Sequence, residues 1–231
     1  MQILESSILG LRAVRMTFRR KSGDVSVTLF PMVHLGDAEF YRTIYADAAT
    51  HDVVLTEGIR SPVTVRLTRC YRWAVGSKRL GLTMQPPFAL PEGSAARIVH
   101  ADLSATEFEA AWRKVPLGLR CLIYLVAPLI GLSLRWRGSR GALSKRLRMD
   151  VEPTIKEALI NPETAILAEV ILKQRDDRLL EILGRELDQF QGPGQIAVIY
   201  GAAHMRAVIR ELTDVRDFKP GDFSWVTIFS L

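Results

Sequence analysis

The chain has 231 residues, 48% of them hydrophobic and 24% charged, so it can bury a core without disulfides or a structural metal, and a disordered protein is excluded. Its two cysteines are far apart and form no Cys-x-x-Cys pair, which argues against a zinc ribbon and predicts reduced thiols. The net charge is +6, but nine lysines and arginines lie within residues 113–148, where no aspartate or glutamate occurs, so the rest of the chain is net acidic.

The first quarter of the chain predicts a β-hairpin followed by a βαβ unit. Strands are predicted at 11–19 and 25–33, because apolar and β-branched residues alternate on both sides of a glycine-containing turn at 21–24. Asp37 is predicted to cap a helix at 38–49, and the apolar run 52–56 is typical of a short buried strand. A strand, a helix and a strand in this order predict a right-handed crossover in a parallel sheet.

The middle of the chain, about 64–160, predicts a helical insertion that carries the basic, apolar segment. The other predicted elements are helices at 66–75, 108–114, 143–160, 163–189 and 203–212 and strands at 196–200 and 223–229. No linker or internal repeat divides the sequence. The expected fold is therefore α/β and a single domain over 1–231, in which helices flank a mixed, mostly parallel central sheet.

Three polar side chains follow predicted strands directly. His34 follows the run 29–33, Glu57 closes the strand at 53–56, and His204 comes after the strand at 196–200 and the break at Gly201. Ligands of parallel α/β sheets bind outside the carboxyl ends of the strands, so these three side chains are expected to face one crevice. Two imidazoles and a carboxylate suit zinc or another divalent transition metal, with an open position for water. The alternative for each histidine is a hydrogen-bonded structural role.

Four consecutive charged residues, 175–178, lie on a predicted helix. They span more than one helical turn, so at least one of them is expected to face inward. Arg175 is the predicted inward residue, and Glu57 or Asp176 would supply the carboxylate that a buried guanidinium needs. The other interpretation is a solvated helix face with pairing between residues three positions apart.

Four stretches resemble, in order and rough spacing, the motifs of the TraB/PrgY/Tiki family. They are 30–41 (Phe-Pro-Met-Val-His-Leu-Gly-Asp-Ala-Glu-Phe-Tyr), 52–58 (Asp-Val-Val-Leu-Thr-Glu-Gly), 174–179 (Gln-Arg-Asp-Asp-Arg-Leu) and 198–204 (Val-Ile-Tyr-Gly-Ala-Ala-His). Two positions depart from the family pattern: Pro31 stands where the family usually has glycine, and Gln174 replaces a glutamate. The resemblance does not extend to the middle of the chain.

This resemblance implies a fold shared with erythromycin-esterase-like and ChaN-like proteins. Tiki members of the family are described as metal-dependent proteases that use the two motif histidines and the acidic residue. Carried over by position, the resemblance implies His34, Glu57 and His204 as ligands of a divalent metal such as zinc, manganese or cobalt. Arg175 and Asp176 would then be supporting catalytic residues beside Glu57.

A run of fourteen uncharged residues, 121–134, lies inside the basic segment. A membrane-spanning helix needs about twenty apolar residues, and Pro128 and Gly131 would weaken one, so a transmembrane span is not predicted. Two interpretations stay open. One is a buried or dimer-forming helix, and the other is an interfacial helix that rests on an anionic membrane through residues 113–148, with Trp136 between two arginines.

Several activities lack a sequence signature. The chain has no Gly-x-Ser-x-Gly elbow, no phosphate-binding loop and no dinucleotide-binding turn. Apart from Trp136, aromatic residues are not interleaved with the basic ones of 113–148, and no nucleic-acid-binding motif occurs, which argues against nucleic acid as a partner. No signal-peptide pattern opens the sequence, so a cytoplasmic location is expected, with peripheral membrane association as the alternative that an interfacial helix would imply.

The leading functional hypothesis is a divalent-metal-dependent hydrolase, protease-like or esterase-like, acting on a peptide or small-molecule substrate. Glu57 would be a metal ligand or the general base, and Arg175 would stabilise a developing oxyanion or hold Glu57 in place. The rival is a non-catalytic ligand-binding or regulatory protein that uses the same pocket for a ligand such as heme or a peptide, near a membrane. A third hypothesis is a structural partner that forms homodimers through the apolar segment.

Overall fold

The computed structural model describes residues 2–20, 24–75, 77–151 and 162–231. The strands are β1 (Leu4–Ser7), β2 (Gly10–Arg20), β3 (Val25–Met32), β4 (Leu35–Gly36), β5 (Val53–Thr56), β6 (Thr83–Met84), β7 (Arg97–His100), β8 (Gly194–Gly201) and β9 (Phe218–Ser230). The helices are α1 (Ala38–Ala48), α2 (Pro62–Leu67), α3 (Arg69–Val75), α4 (Ala105–Lys114), α5 (Leu117–Arg137), α6 (Arg140–Val151), α7 (Pro162–Ala168), α8 (Gln174–Gln189) and α9 (Met205–Arg210). The predicted turn at 21–24 and the predicted helix at 143–160 lie partly outside the described residues.

Three short turns connect these elements. A π-helical turn (Glu169–Lys173) joins α7 to α8, and a 3₁₀ turn (Ala202–His204) joins β8 to α9. A second π-helical turn (Glu211–Val215) follows α9. The two-residue strands β4 and β6 pair with each other outside the central sheet.

The central sheet is mixed. Strands β3, β8, β5 and β7 lie side by side and are parallel. Strand β2 pairs antiparallel with β1 and β3 along one edge and with β9 along the other. Six of the seven described strands of this sheet therefore run in one direction, and β2 alone opposes them. The predicted α/β fold, a mixed and mostly parallel sheet flanked by helices, is confirmed.

The parallel part of the sheet forms the centre of the main core. All eight residues of β3 are buried, and so are the five from Ile196 to Tyr200 in β8. Such continuous apolar runs are expected for parallel strands that are covered on both faces. Helix α8 packs against the core through Leu179, Leu183 and Leu187, whose spacing of four places them on one helix face.

Helix α1 begins at the predicted position, but its cap differs from the prediction. Asp37 occupies the N-cap position, yet its side chain makes no capping hydrogen bond. The carboxylate instead accepts a hydrogen bond from Arg140 Nη2 at 3.1 Å. The Asp37 side chain, which the sequence predicts to cap α1, therefore forms an ion pair with Arg140 of α6.

The insertion builds a second, smaller hydrophobic cluster. Its buried members are Leu103, Phe108, Ala111, Trp112, Val115 and Val170. Helix α4 contributes three of the six and begins with the predicted capping box, in which Ser104 and Glu107 exchange hydrogen bonds. The insertion therefore has a core of its own beside the sheet.

Helix α5 is longer and more exposed than the sequence predicts. It runs from Leu117 to Arg137 with Pro128 inside it. Its side chains are largely open to solvent, so the interpretation as a buried helix is wrong, whereas the dimer and membrane interpretations stay predictions. Within the described residues, α5 alone is long and apolar enough to cross a membrane, a judgement of length and composition only.

A candidate active site at the ends of the parallel strands

Four strand ends supply the side chains of the candidate site. Glu57 follows β5 directly, and Asp102 lies two residues beyond β7. His34 lies two residues beyond β3, and His204 ends the 3₁₀ turn after β8. Because these four strands are parallel, their carboxyl ends meet at one edge of the sheet, which is where parallel α/β sheets bind their ligands.

Arg175 points inward, as predicted. Its guanidinium donates two hydrogen bonds to Asp102, from Nε to Oδ1 at 3.0 Å and from Nη2 to Oδ2 at 2.7 Å. Nη2 also reaches Glu57 Oε2 at 3.4 Å, and the guanidinium carbon lies 5.4 Å from the centre of the Tyr200 ring. Burial alone would lower the pKa of Arg175, but Asp102, Tyr200 and Glu57 raise it above its ordinary value. The guanidinium therefore stays charged in this crevice.

Asp102 is the main partner of Arg175, and the sequence does not predict it as a site residue. Its side chain is fully buried and also accepts backbone hydrogen bonds from Gly58 at 3.0 Å and from Leu103 at 2.8 Å. Burial opposes ionisation, but Arg175 and the two backbone donors outweigh it, so the pKa of Asp102 is lowered. The signal that could have found it is the β-branched pair Ile98-Val99 shortly before an acid, the same pattern that pointed to Glu57.

Glu57 and His204 meet at one glycine. Glu57 Oε2 accepts a hydrogen bond from the backbone N–H of Gly201 at 3.0 Å. A Cβ at position 201 would lie 3.2 Å from that same oxygen and 3.3 Å from Cδ2 of His204. The glycine therefore lets the carboxylate and the imidazole approach the same point of the backbone, a close approach that a side chain would crowd.

His204 is buried and oriented by Asp176. Its Nδ1 lies 2.7 Å from Asp176 Oδ1, and its ring packs edge-on against Tyr200 at 4.9 Å between centroids. The contact at Nδ1 makes Nε2 the ring nitrogen that would face a ligand. The adjacent residues Arg175 and Asp176 thus serve two different partners, one beyond β7 and the other beyond β8.

His34 lies on the open side of the crevice. Its side chain is exposed to solvent and packs against the Tyr71 ring at 4.7 Å. The surrounding protein nevertheless desolvates the charged form and lowers the pKa of His34; Glu57 opposes this shift, and Arg175 and His204 add to it. Of the predicted residues, Glu57 contacts Arg175 and lies beside His204 at Gly201, and the pKa of His34 responds to all three.

The donor atoms of this crevice suit a divalent metal in type. They comprise an imidazole whose lowered pKa favours the neutral form, a second imidazole backed by a carboxylate, and a glutamate. In the described part of the chain, however, no three histidine, cysteine, aspartate or glutamate side chains form a ready metal-binding group. Glu57 Oε2 is engaged by Gly201 and Arg175. A metal at this position therefore stays a prediction.

The fold and the crevice define an α/β protein with a buried ionic network at the carboxyl ends of its parallel strands. Comparison of the chain with protein-family models, curated proteins and solved structures gave no match. Membership of the TraB/PrgY/Tiki family stays a prediction that depends on the motif residues alone.

Proposed function

We propose that this protein is a divalent-metal-dependent hydrolase of amide or ester bonds in a peptide or small molecule. The observation that carries the proposal is the pair of His204 and Asp176, 2.7 Å apart, beside the carboxylate of Glu57. A carboxylate on one ring nitrogen fixes the tautomer and orientation of an imidazole that ligates through the other. The motif resemblance to TraB/PrgY/Tiki proteins supports the same residues.

His34, Glu57 and His204 would hold the metal. A divalent ion held there would polarise a substrate carbonyl and lower the pKa of a bound water. His34 contributes its neutral form, which is the form that ligates, because its pKa lies below the ordinary value. The solvent-exposed position of His34 leaves this side of the crevice open to a substrate.

Arg175 prepares the crevice for negative charge. The two hydrogen bonds to Asp102 hold the guanidinium in place independently of Glu57. This fixed cation would stabilise an oxyanion that develops on the substrate. If Glu57 is not a ligand, its carboxylate is the general base: it takes a proton from the attacking water and returns that proton to the departing amine or alcohol.

Elemental analysis of protein purified without a histidine tag tests the proposal. We expect about one equivalent of zinc, manganese or cobalt per chain in the wild type and its loss in His204→Ala. His100→Ala is the matched control, because His100 is an exposed histidine at the end of β7 that the proposal leaves out. Negligible metal in the wild type after incubation with each ion would contradict the proposal. Loss of metal from His100→Ala would show that the ligand set is wrong.

A second candidate is a non-catalytic ligand-binding or regulatory protein. The observation that favours it is that Glu57 is already engaged by Gly201 and Arg175, as expected of a structural carboxylate. Under this hypothesis the wild type and His204→Ala bind equally little metal. Titration with heme, followed by its absorption spectrum, would then give a saturable shift in the wild type that is altered in His34→Ala, since His34 is the exposed imidazole.

A further inference from the structure

Helix α5 carries a long apolar face that is open to solvent. Leu122, Leu125, Leu129 and Trp136 are 54%, 66%, 58% and 66% exposed. Their spacings of three, four and seven residues place them on one side of the helix. Folded monomers rarely leave contiguous apolar surfaces of this kind without a binding role. We call these four residues the apolar face of α5.

The opposite side of α5 is held against the protein. At Gly131 the helix approaches α3 so closely that a Cβ would lie 2.6 Å from the carbonyl oxygen of Cys70. Helix α2 also packs against α5. A helix fixed in this way along one side lies on the surface of the protein, and its other side is presented to whatever covers it. This arrangement suits an interfacial helix better than a membrane span.

Positive charge surrounds the apolar face. The segment that contains α5 has nine basic and no acidic residues over 113–148. The helices packed on α5 add Arg66, Arg69 and Arg72, all exposed, and no acidic residue occurs over 58–91. A second copy of this face would bring like charges together, whereas an anionic surface would neutralise them. The charge pattern therefore selects an anionic partner over a self-associated dimer.

A pocket at the N-terminal end of α5 has the chemistry of a phosphate site. Its volume is about 250 Å³, and it lies between α2, α4 and α5. Arg66, Arg113 and Arg120 line it, beside the acidic residue Glu109. Nε of Arg120 is buried and has no hydrogen-bond partner within the described ranges. A guanidinium group can donate two parallel hydrogen bonds to two oxygens of one phosphate. Three guanidinium groups in one pocket therefore suit the binding of a phosphate group.

The pocket adjoins the start of the apolar helix. Leu117, the first residue of α5, lines the pocket and is 67% exposed. A ligand that fills the pocket and covers the helix must combine an anionic head with an apolar tail. We propose that α5 docks in the interface of an anionic phospholipid membrane, with a lipid phosphate in the pocket of Arg66, Arg113 and Arg120. This inference is independent of the proposed hydrolase activity.

Flotation with vesicles tests the docking. The wild-type protein is expected to float with vesicles of 70% phosphatidylcholine and 30% phosphatidylglycerol, and at least ten-fold less with pure phosphatidylcholine. Raising the salt from 0.1 to 1 M should release most of the protein, because the screening length falls from about 10 Å to about 3 Å. These measurements need no variant.

Paired variants separate the apolar face from the rest of the surface. Leu125→Gln/Leu129→Gln should weaken partitioning by about ten-fold for each leucine, since each loses its burial in lipid. Both side chains are more than half exposed, so the substitutions leave the fold intact. Phe223→Gln is the control, because Phe223 is 71% exposed on β9, outside this face. It should float as well as the wild type.

A second pair of variants tests the pocket. Arg113→Gln/Arg120→Gln should weaken partitioning by about five-fold for each charge, which is about 25-fold in all. The control Arg206→Gln/Arg210→Gln removes the same charge from exposed positions on α9 and should change little. Glycerol phosphate, a soluble headgroup, should compete only weakly, because it lacks the apolar tail.

Four results would overturn the inference. They are failure to float with anionic vesicles, equal flotation with both vesicle compositions, equal losses in the two arginine pairs, and tight glycerol phosphate binding without flotation. Sedimentation velocity adds a fifth: a dimer that Leu125→Gln/Leu129→Gln dissociates, without flotation of the wild type, would make a second copy the occupant of the apolar face.

Discussion

Replacing Asp102 by asparagine removes the negative charge that holds Arg175 in the crevice. The carboxylate is fully buried and the Arg175 side chain is 17% exposed, so water replaces little of the lost interaction. Removing one partner of a buried ion pair costs about 3–5 kcal/mol. Glu57 still reaches the guanidinium at 3.4 Å, which places the expected loss near the lower end, about 3 kcal/mol. At roughly 2–4 °C per kcal/mol for a chain of this length, the melting temperature should fall by roughly 6–12 °C.

Urea denaturation followed by circular dichroism measures this loss, with Asp188→Asn as the matched control. Asp188 pairs with Arg216 at 3.4 Å but is 71% exposed, so its substitution should change the free energy of unfolding by less than about 1 kcal/mol. Adding Arg175→Gln to Asp102→Asn should recover only part of the loss, because the unpaired guanidinium is removed but Glu57, whose side chain is 13% exposed, loses its ion pair. A loss in Asp102→Asn no larger than that of the control would refute the reasoning.

Three further predictions concern other parts of the molecule. Asp176→Ala should weaken metal binding by about 10–100-fold in a competition titration, and Asp177→Ala, an exposed neighbour, should not; equal affinities would contradict the orienting role. Gly131→Val should destabilise the protein by about 1–3 kcal/mol and speed the reaction of Cys70 with a thiol reagent, because the larger side chain forces α5 away from α3. An unchanged rate of Cys70 modification would contradict the close contact between α5 and α3. Burial lowers the pKa of His51 in the folded protein, so on acidification the unfolded chain is protonated at this histidine first, and the free energy of unfolding falls as the pH drops below about 6.5. His51→Gln should reduce the difference between the urea midpoints measured at pH 7.5 and at pH 5. An equal difference in the wild type and the variant would refute this prediction.

The site residues that follow buried strands could be predicted, and the one that follows an edge strand could not. His34, Glu57 and His204 come after β3, β5 and β8, which show as apolar runs because other elements cover them. Strand β7 lies at the edge of the sheet, and three of its four residues, including Ile98, are exposed. Its weak hydrophobic pattern hid the strand, and with it Asp102, although the inward direction of Arg175 was predicted correctly.

The sequence predicts a shorter apolar segment than α5, because charged residues bound the uncharged run 121–134. A helix does not end where charges begin, and the backbone of α5 continues through Arg120 and Arg135. Pro128 does not end it either, although proline removes one backbone hydrogen bond. The sequence also could not tell a buried helix from an exposed one, since α5 is apolar on most sides and only its packing on α3 decides which side is covered.

The π-helical turn Glu169–Lys173 sets a phase difference between two parts of one continuous helix. Val170 belongs to the smaller cluster, whereas Leu179 and Leu183 belong to the main core. One residue added to a helix rotates the residues beyond it by about 100°. The wide turn therefore lets the helix bury side chains in both hydrophobic clusters while Arg175 still points at Asp102 and Glu57. A deletion of one residue in this turn would therefore rotate Leu179 and Leu183 about 100° away from the main core if Val170 stayed in the smaller cluster.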